Sequence, residues 1–322
     1  IENLKAASRG YAYFQDRDLE ERVEFAPVHY DDVFEEAVAR WQGDAAALQG
    51  LGLGGPAENL FSWLPATDAE AQKFWWTHLA DLALYRLTRI YRQQVRARVL
   101  DQIAGRIEAE DGPPKCSVLA HSMGTAVAHD CLHLLGTVRW SGHANALSPR
   151  HWRFNHLFMV ANTSRLLQTE DDQMKKAYES IVQPGGVEDP SSYCATYWNF
   201  RHEADPVPFS RMFEPVGWKD YTNVVIRHYY EPNVHGLSHY LLNPRVHIPI
   251  LRKLVHPRVV TPEEEVAAVG AFPLFAGRFA AVEKARDLAR DLEQMKAELG
   301  EDPDIGKLLQ VLLRFHLRVK EV

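Results

Sequence analysis

The predicted fold is decided by residues 115–131, which read Lys-Cys-Ser-Val-Leu-Ala-His-Ser-Met-Gly-Thr-Ala-Val-Ala-His-Asp-Cys. The segment begins with a short apolar run typical of a buried strand. From Met123 onward the segment is rich in small residues, as in a helix that packs closely on a sheet. Ser122 lies at the junction, between Ala120 and Gly124. This A-x-S-x-G pattern predicts a strand, a tight turn that carries Ser122, and a helix.

Similar apolar segments rich in strand formers follow at residues 155–161, 193–200 and 223–230, and residues 23–30 alternate in the same way. Helical stretches separate several of these segments, and residues 68–110 carry apolar side chains at a helical spacing. Strands that alternate with helices are typical of a parallel sheet. We therefore predict an α/β fold with a mostly parallel central sheet flanked by helices.

The rest of the chain suggests its domain organisation. Residues 1–260 are predicted to form the core, and the helical pattern after Pro262 predicts a C-terminal helical extension over residues 261–322. Within the core, residues 43–68 are rich in Gly, Leu and aromatic residues. We interpret them either as a flap or lid loop over an apolar pocket or as a packed surface loop.

A serine on a strand-to-helix turn is the arrangement that nucleophilic serine hydrolases use, because the strained backbone presents the hydroxyl to the pocket. Ser122 is therefore a candidate nucleophile. The N–H of Met123 is a candidate oxyanion donor, since a helix N-terminus carries positive potential. The alternative is a serine that only caps the helix, but a cap does not explain the small residues on both sides.

A serine nucleophile needs a base, and the base needs an orienting carboxylate that follows a later strand. Asp205 comes just past the candidate strand 193–200 and is followed by Pro206. Glu203 and Asp220 are competitors. The alternative without a catalytic role is an aspartate that begins a turn, as Asp-Pro sequences often do.

Two histidines follow the candidate strand 223–230 and compete for the role of base. His235 lies in a loop beside Gly236, so its ring could reach back to Ser122. His239 lies where a short helix is expected to begin. We favour His235, because a base must first lie within hydrogen-bond reach, and keep His239 as the alternative base.

Together, Ala120–Gly124, Asp205-Pro-Val and the His235–Tyr240 loop resemble the α/β-hydrolase superfamily on its lipase and esterase side, over residues 20–255. The resemblance implies a nucleophile elbow and a catalytic triad of Ser122, Asp205 and His235. It also implies hydrolysis of carboxylic esters through an acyl-enzyme, without a cofactor. Thioesterases and amidases use the same machinery.

The sequence departs from that family at the oxyanion hole, whose second N–H donor usually follows an early strand and is often marked by His-Gly. No such pair lies near the N-terminus, and the chain begins at Ile1 without Met. We expect that strand and donor to lie upstream of Ile1. The same departure supports an alternative function, a catalytically weak hydrolase-like scaffold that binds a lipid or a protein.

The composition argues against several classes of protein. The net charge of -7 over 322 residues disfavours a general nucleic-acid binder. No apolar run approaches the ~18 residues of a membrane span, so no stable membrane insertion is expected. The three cysteines are too widely spaced for a disulfide framework or a thiolate metal site, which fits a reducing compartment. We expect a cytoplasmic protein whose partner is a small-molecule ester with an apolar acyl group.

Three further motifs have simple interpretations. His129 and His133 share a helix face at a spacing that could chelate zinc, but we interpret them as a polar helix face and expect no metal. Residues 162–164 match an N-glycosylation acceptor that lies where a substrate-facing loop is expected. The amphipathic C-terminal helices, including residues 308–319, carry both charge signs, which is typical of packed helices or of a homodimer contact rather than a membrane anchor.

Overall fold

The computed structural model describes most of the predicted core. The described residues are 1–34, 36, 85, 89–109, 115–137, 149, 152–167, 180–185, 189, 191–209, 212–228, 234–272, 290 and 294. The chain divides into two compact units, of which one comprises residues 1–27 with 107–322 and the other residues 28–106.

The described residues of the first unit form a four-stranded, all-parallel sheet whose strands neighbour each other in chain order, β1-β2-β3-β4. The strands are β1 (Ser117–His121), β2 (Phe154–Val160), β3 (Cys194–His202) and β4 (Tyr221–Ile226). They coincide with four of the predicted strands and, with the helices below, confirm the α/β class. Because all four run in the same direction, their carboxyl ends lie along one edge of the sheet.

Seven α-helices and two 3-10 helices are bounded within the described residues. They are α1 (Glu2–Ser8), the 3-10 helices Ala12–Phe14 and Leu19–Glu21, α2 (Arg89–Glu108), α3 (Met123–Gly136), α4 (Pro206–Phe209), α5 (Leu237–Leu241), α6 (Pro244–Leu254) and α7 (Pro262–Ala271). A capping box formed by Thr261 and Glu264 begins α7, and the Asn243 side chain caps α6.

The predicted strand at 23–30 is wrong, because these residues, all within the described part of the chain, form no strand. Their alternation has another cause. Val23 and Phe25 are partly buried and pack on the apolar core of the first unit. Pro27 has no N–H to donate to a strand ladder. An extended segment that lies along a core can therefore show the same period of two as a paired strand.

The helix that follows β1 differs from its prediction in one respect. Every residue of α3 from Thr125 to Gly136 is buried, including His129 and His133, which were expected on a polar face. His133 Nδ1 lies 3.1 Å from the Ser180 hydroxyl, a buried hydrogen bond. The two histidines are thus part of the interior of this unit.

The N-terminal segment contributes to the same core. Leu4 and Phe14 belong to one apolar cluster with Phe200 at the end of β3 and with Tyr240 of α5. The Tyr11 hydroxyl lies 2.6 Å from Nε2 of His247 on α6. This packing fixes the helices that follow β4 against the carboxyl end of the sheet.

The second unit, residues 28–106, contains most of α2, which lies within the predicted helical stretch 68–110. Its Arg98 side chain forms an ion pair of 2.7 Å with Asp32, and the Gln102 side chain bonds the main chain of His29. The candidate lid at 43–68 lies outside the described residues, as does the predicted C-terminal extension apart from residues 261–272, 290 and 294. Among the helices that are described, none is long and apolar enough to cross a membrane.

Candidate active site

Ser122 sits on a strained turn between β1 and α3. Its backbone adopts φ 51° and ψ -129°, a region that residues with a side chain rarely occupy. Such a conformation costs about 1–3 kcal/mol and persists only where the surroundings hold it. The Ser122 N–H donates to the Val160 carbonyl at the end of β2 over 2.9 Å. The turn is therefore tied to the neighbouring strand.

The Ser122 hydroxyl is directed away from the helix that it precedes. Although Ser122 occupies the N-cap position of α3, its side chain makes no capping hydrogen bond. Its Oγ lies 2.8 Å from Nε2 of His235. This contact answers the question left open by the sequence, whether the serine serves as a helix cap.

His235 lies in the connection between β4 and α5, two residues before Leu237 begins the helix. Its Nδ1 lies 2.9 Å from each carboxylate oxygen of Asp205. Because a carboxylate only accepts, Nδ1 carries the proton and donates the hydrogen bond to Asp205. When the ring is neutral, this leaves Nε2 unprotonated and facing Ser122, which is the tautomer that a general base requires.

Asp205 is completely buried between the end of β3 and the start of α4. Burial alone would raise the pKa of its carboxyl. The charge and hydrogen bond of His235, the Tyr240 hydroxyl at 2.8 Å and the Val207 N–H at 3.1 Å outweigh burial, and the pKa lies below its usual value. Asp205 is therefore an anion at neutral pH, held in place by three donors.

The structure does not bring the competing residues to Ser122. His239 is buried on α5, and its ring packs edge-on against His202 with centroids 5.0 Å apart. Glu203 pairs with Arg227 over 3.1 Å and is 40% exposed. Asp220 precedes β4 and so lies at the opposite, amino-terminal end of that strand.

Met123 is the first residue of α3, so its N–H has no acceptor within the helix. This N–H belongs to the residue after the candidate nucleophile, the usual position of one oxyanion donor. A helix N-terminus also favours negative charge placed close to it.

Four residues near the site were not predicted from the sequence. Tyr240 bonds Asp205, His121 bonds the His235 main chain, and the side chains of Thr125 and Thr163 both bond the Ser122 carbonyl. Tyr240 was visible only as part of the loop that contains the base. No local sequence signal distinguishes Thr163, because its role depends on how β2 lies beside β1.

The acceptor sequence at residues 162–164 is not a substrate-facing loop. Asn162, Thr163 and Ser164 are all buried, and the Asn162 side chain bonds the Tyr197 hydroxyl over 2.9 Å. The segment is buried next to the Ser122 turn, and its polar side chains form hydrogen bonds with Tyr197, with the Ser122 carbonyl and with each other. Within the described residues, no cluster of three or more His, Cys, Asp or Glu side chains could hold a metal ion.

Comparisons of the chain with protein-family models, with curated proteins and with solved structures found no match.

Proposed function

We propose that this chain is a serine hydrolase of the α/β-hydrolase superfamily that cleaves carboxylic esters through an acyl-enzyme on Ser122. The observation that carries the proposal is the continuous hydrogen-bonded path from Ser122 Oγ to His235 Nε2, at 2.8 Å, and from His235 Nδ1 to Asp205, at 2.9 Å. The positive φ of Ser122 supports it independently, because strain of this kind gathers at functional sites.

In the proposed acylation step, His235 removes the proton from Ser122 as Oγ attacks the ester carbonyl. Asp205 stays ionised and stabilises the imidazolium that forms. The Met123 N–H donates to the oxyanion of the tetrahedral intermediate. Collapse of that intermediate breaks the ester C–O bond, and His235 gives its proton to the departing alcohol.

Deacylation follows the same route with water in place of the alcohol. His235 takes a proton from water, the hydroxide attacks the acyl carbon, and the proton returns to Ser122 as the acid leaves. All bonds broken and formed are accounted for by the ester, water and these residues. A small ester with an apolar acyl group is the proposed substrate, with thioesters and amides as variants of the same chemistry.

The cellular setting is proposed on chemical grounds. Cys116, Cys131 and Cys194 are all free thiols, which favours a reducing compartment such as the cytoplasm. A homodimer remains a prediction of the C-terminal sequence.

The test is active-site labelling with a fluorophosphonate, read by intact mass. The wild-type protein should gain one adduct, and Ser122→Ala should gain none. Ser191→Ala is the matched control, because Ser191 is an exposed serine in the loop that precedes β3. Folding of each variant is checked by circular dichroism.

Hydrolysis of a series of p-nitrophenyl esters gives the second readout. We expect turnover that falls by roughly 10⁴-fold or more in Ser122→Ala, since the nucleophile is lost. A folded wild-type protein that neither labels nor turns over any ester contradicts the proposal and favours a binding scaffold with a hydrolase-like site.

A further inference from the structure

The main-chain carbonyl of Ser122 accepts an unusual number of hydrogen bonds. Thr125 donates to it from its N–H over 2.8 Å and from its hydroxyl over 2.6 Å. The Thr163 hydroxyl donates to the same oxygen over 2.8 Å. The first two bonds come from the helix that Ser122 begins. The third comes from a segment beyond a different strand.

That segment leaves β2 through a second strained residue. Ala161 has φ 49° and donates its N–H to the Phe200 carbonyl over 2.9 Å. The chain then turns so that the Thr163 N–H donates to the Thr125 hydroxyl over 2.8 Å. Thr125 and Thr163 thus bond each other as well as the Ser122 carbonyl.

Asn162 anchors this turn to the third strand. Its side-chain nitrogen donates to the Tyr197 hydroxyl of β3, and its oxygen accepts from the Ser164 N–H and hydroxyl at 3.0 and 2.6 Å. All three side chains of the turn are buried, and Thr163 is fully so. A buried, satisfied polar network of this kind is rigid.

These contacts influence the position of the Ser122 hydroxyl through the conformation of the backbone. The direction of the Ser122 side chain depends on its φ and ψ, and those angles are unfavourable without support. The Thr163 bond fixes the carbonyl side of Ser122, while the bond from its N–H to Val160 fixes the other side. Relaxation of the turn would move Oγ relative to His235.

We propose that Thr163 is a positioning residue that holds the Ser122 turn in its reactive conformation from the end of the neighbouring strand. The inference rests on the proposed function for its catalytic consequence. Thr163 acts through the Ser122 carbonyl, because its hydroxyl donates its hydrogen bond to that oxygen and not to a reacting atom. Thr125 bonds the Ser122 carbonyl from the helix that follows it, and Thr163 bonds the same carbonyl from the segment that follows β2.

The test compares Thr163→Val with Thr163→Ser. Valine keeps the branched shape but removes the hydroxyl, whereas serine keeps the hydroxyl and removes a methyl group. For Thr163→Val we expect kcat and the fluorophosphonate labelling rate to fall by about 10- to 100-fold, because small displacements of a reacting atom have effects of this size. KM should stay within about twofold.

The serine variant should retain labelling within about threefold of wild type, since it restores the bond. Unfolding in urea is measured for both variants, so that rates are compared per folded molecule. A valine variant that loses stability but labels at the wild-type rate shows a merely structural role and overturns the inference.

A crystal structure of Thr163→Val separates this inference from the proposed function. We expect φ of Ser122 to shift and Oγ to leave its 2.8 Å contact with His235. An unchanged turn overturns the positioning role, whether or not the wild type hydrolyses esters. Absence of labelling and turnover in the wild type contradicts the proposed function alone.

Discussion

His121 donates a hydrogen bond from Nε2 to the main-chain carbonyl of His235 over 2.7 Å. The two rings lie 5.1 Å apart between centroids and are tilted by 42°. The residue just before the candidate nucleophile therefore holds the loop that carries the candidate base. This contact joins the end of β1 to the connection that follows β4, and β1 and β4 are the two outer strands of the described sheet.

Loss of this contact should make His235, the proposed base, less well positioned. We expect His121→Phe to lower kcat/KM for a p-nitrophenyl ester by about tenfold, because the base loop loses one directed hydrogen bond. His121→Gln keeps an N–H donor and should recover part of the rate. Equal activity in the wild type and in both variants would contradict this role for His121.

The identity of the triad acid can be tested by a charge-removing substitution. Asp205→Asn keeps the shape of the side chain but offers His235 an amide, which favours the wrong imidazole tautomer. We expect kcat to fall by roughly 10⁴-fold. Glu203→Gln is the matched control, because that carboxylate pairs with Arg227 at the surface. Its activity should stay close to wild type, and a reversal of the two results would reassign the acid.

Tyr240 links the candidate acid to β3. Its hydroxyl donates to Asp205 and accepts the His202 N–H over 2.9 Å. Tyr240→Phe removes both bonds and raises the pKa of Asp205. We expect the free energy of unfolding to fall by about 1–3 kcal/mol, together with a lower kcat. Tyr13→Phe, at a half-buried tyrosine of the N-terminal segment, serves as the control and should change neither quantity by a comparable amount.

The stability of the protein should fall as the pH is lowered from 6.5 towards 4. Burial lowers the pKa of His202 and of His247 to about 4, from an ordinary value of 6.5. Within this window the unfolded chain binds protons that the folded protein excludes, so acid favours unfolding. Above pH 6.5 these groups are neutral in both states and contribute no pH dependence.

The contribution of one histidine is measurable by urea unfolding at several pH values. His247→Gln should reduce the slope of unfolding free energy against pH by up to about 1.4 kcal/mol per pH unit in that window. His29→Gln is the control, because His29 is exposed and only its main chain bonds Gln102. An unchanged slope in His247→Gln would show that the folded protein protonates His247 without cost.

The sequence was sufficient for the features that depend on local pattern. The small residues around Ser122 require a close strand-helix turn, and the apolar runs predicted all four strands of the sheet. Chain order placed Asp205 after β3 and His235 after β4, and the structure brings His235 to Ser122 and Asp205 to His235. These inferences need only the parallel direction of the strands and the reach of a side chain.

The features that were missed depend on distant parts of the chain. Residues 23–30 show the alternation of apolar and polar residues that is typical of a strand. Their structure depends instead on packing against the core. Thr163 reaches Ser122 because of the register between β1 and β2, and Tyr240 reaches Asp205 because of how α5 packs against β3. Register and helix packing are set by the whole core, so no window of sequence around these residues could reveal them.

The contact between Ser122 and His235 joins residues 113 positions apart, and the one between His235 and Asp205 joins residues 30 positions apart. The first contact needs the segments that follow β1 and β4 to meet, and the second needs those that follow β3 and β4. All three strands must therefore be in place before the set of contacts is complete. Closing the loop between Ser122 and His235 carries an entropic cost that local structure alone does not offset. Covalent capture of Ser122 would then count only molecules whose chain has completed its long-range ordering, and so would serve as a probe of folding.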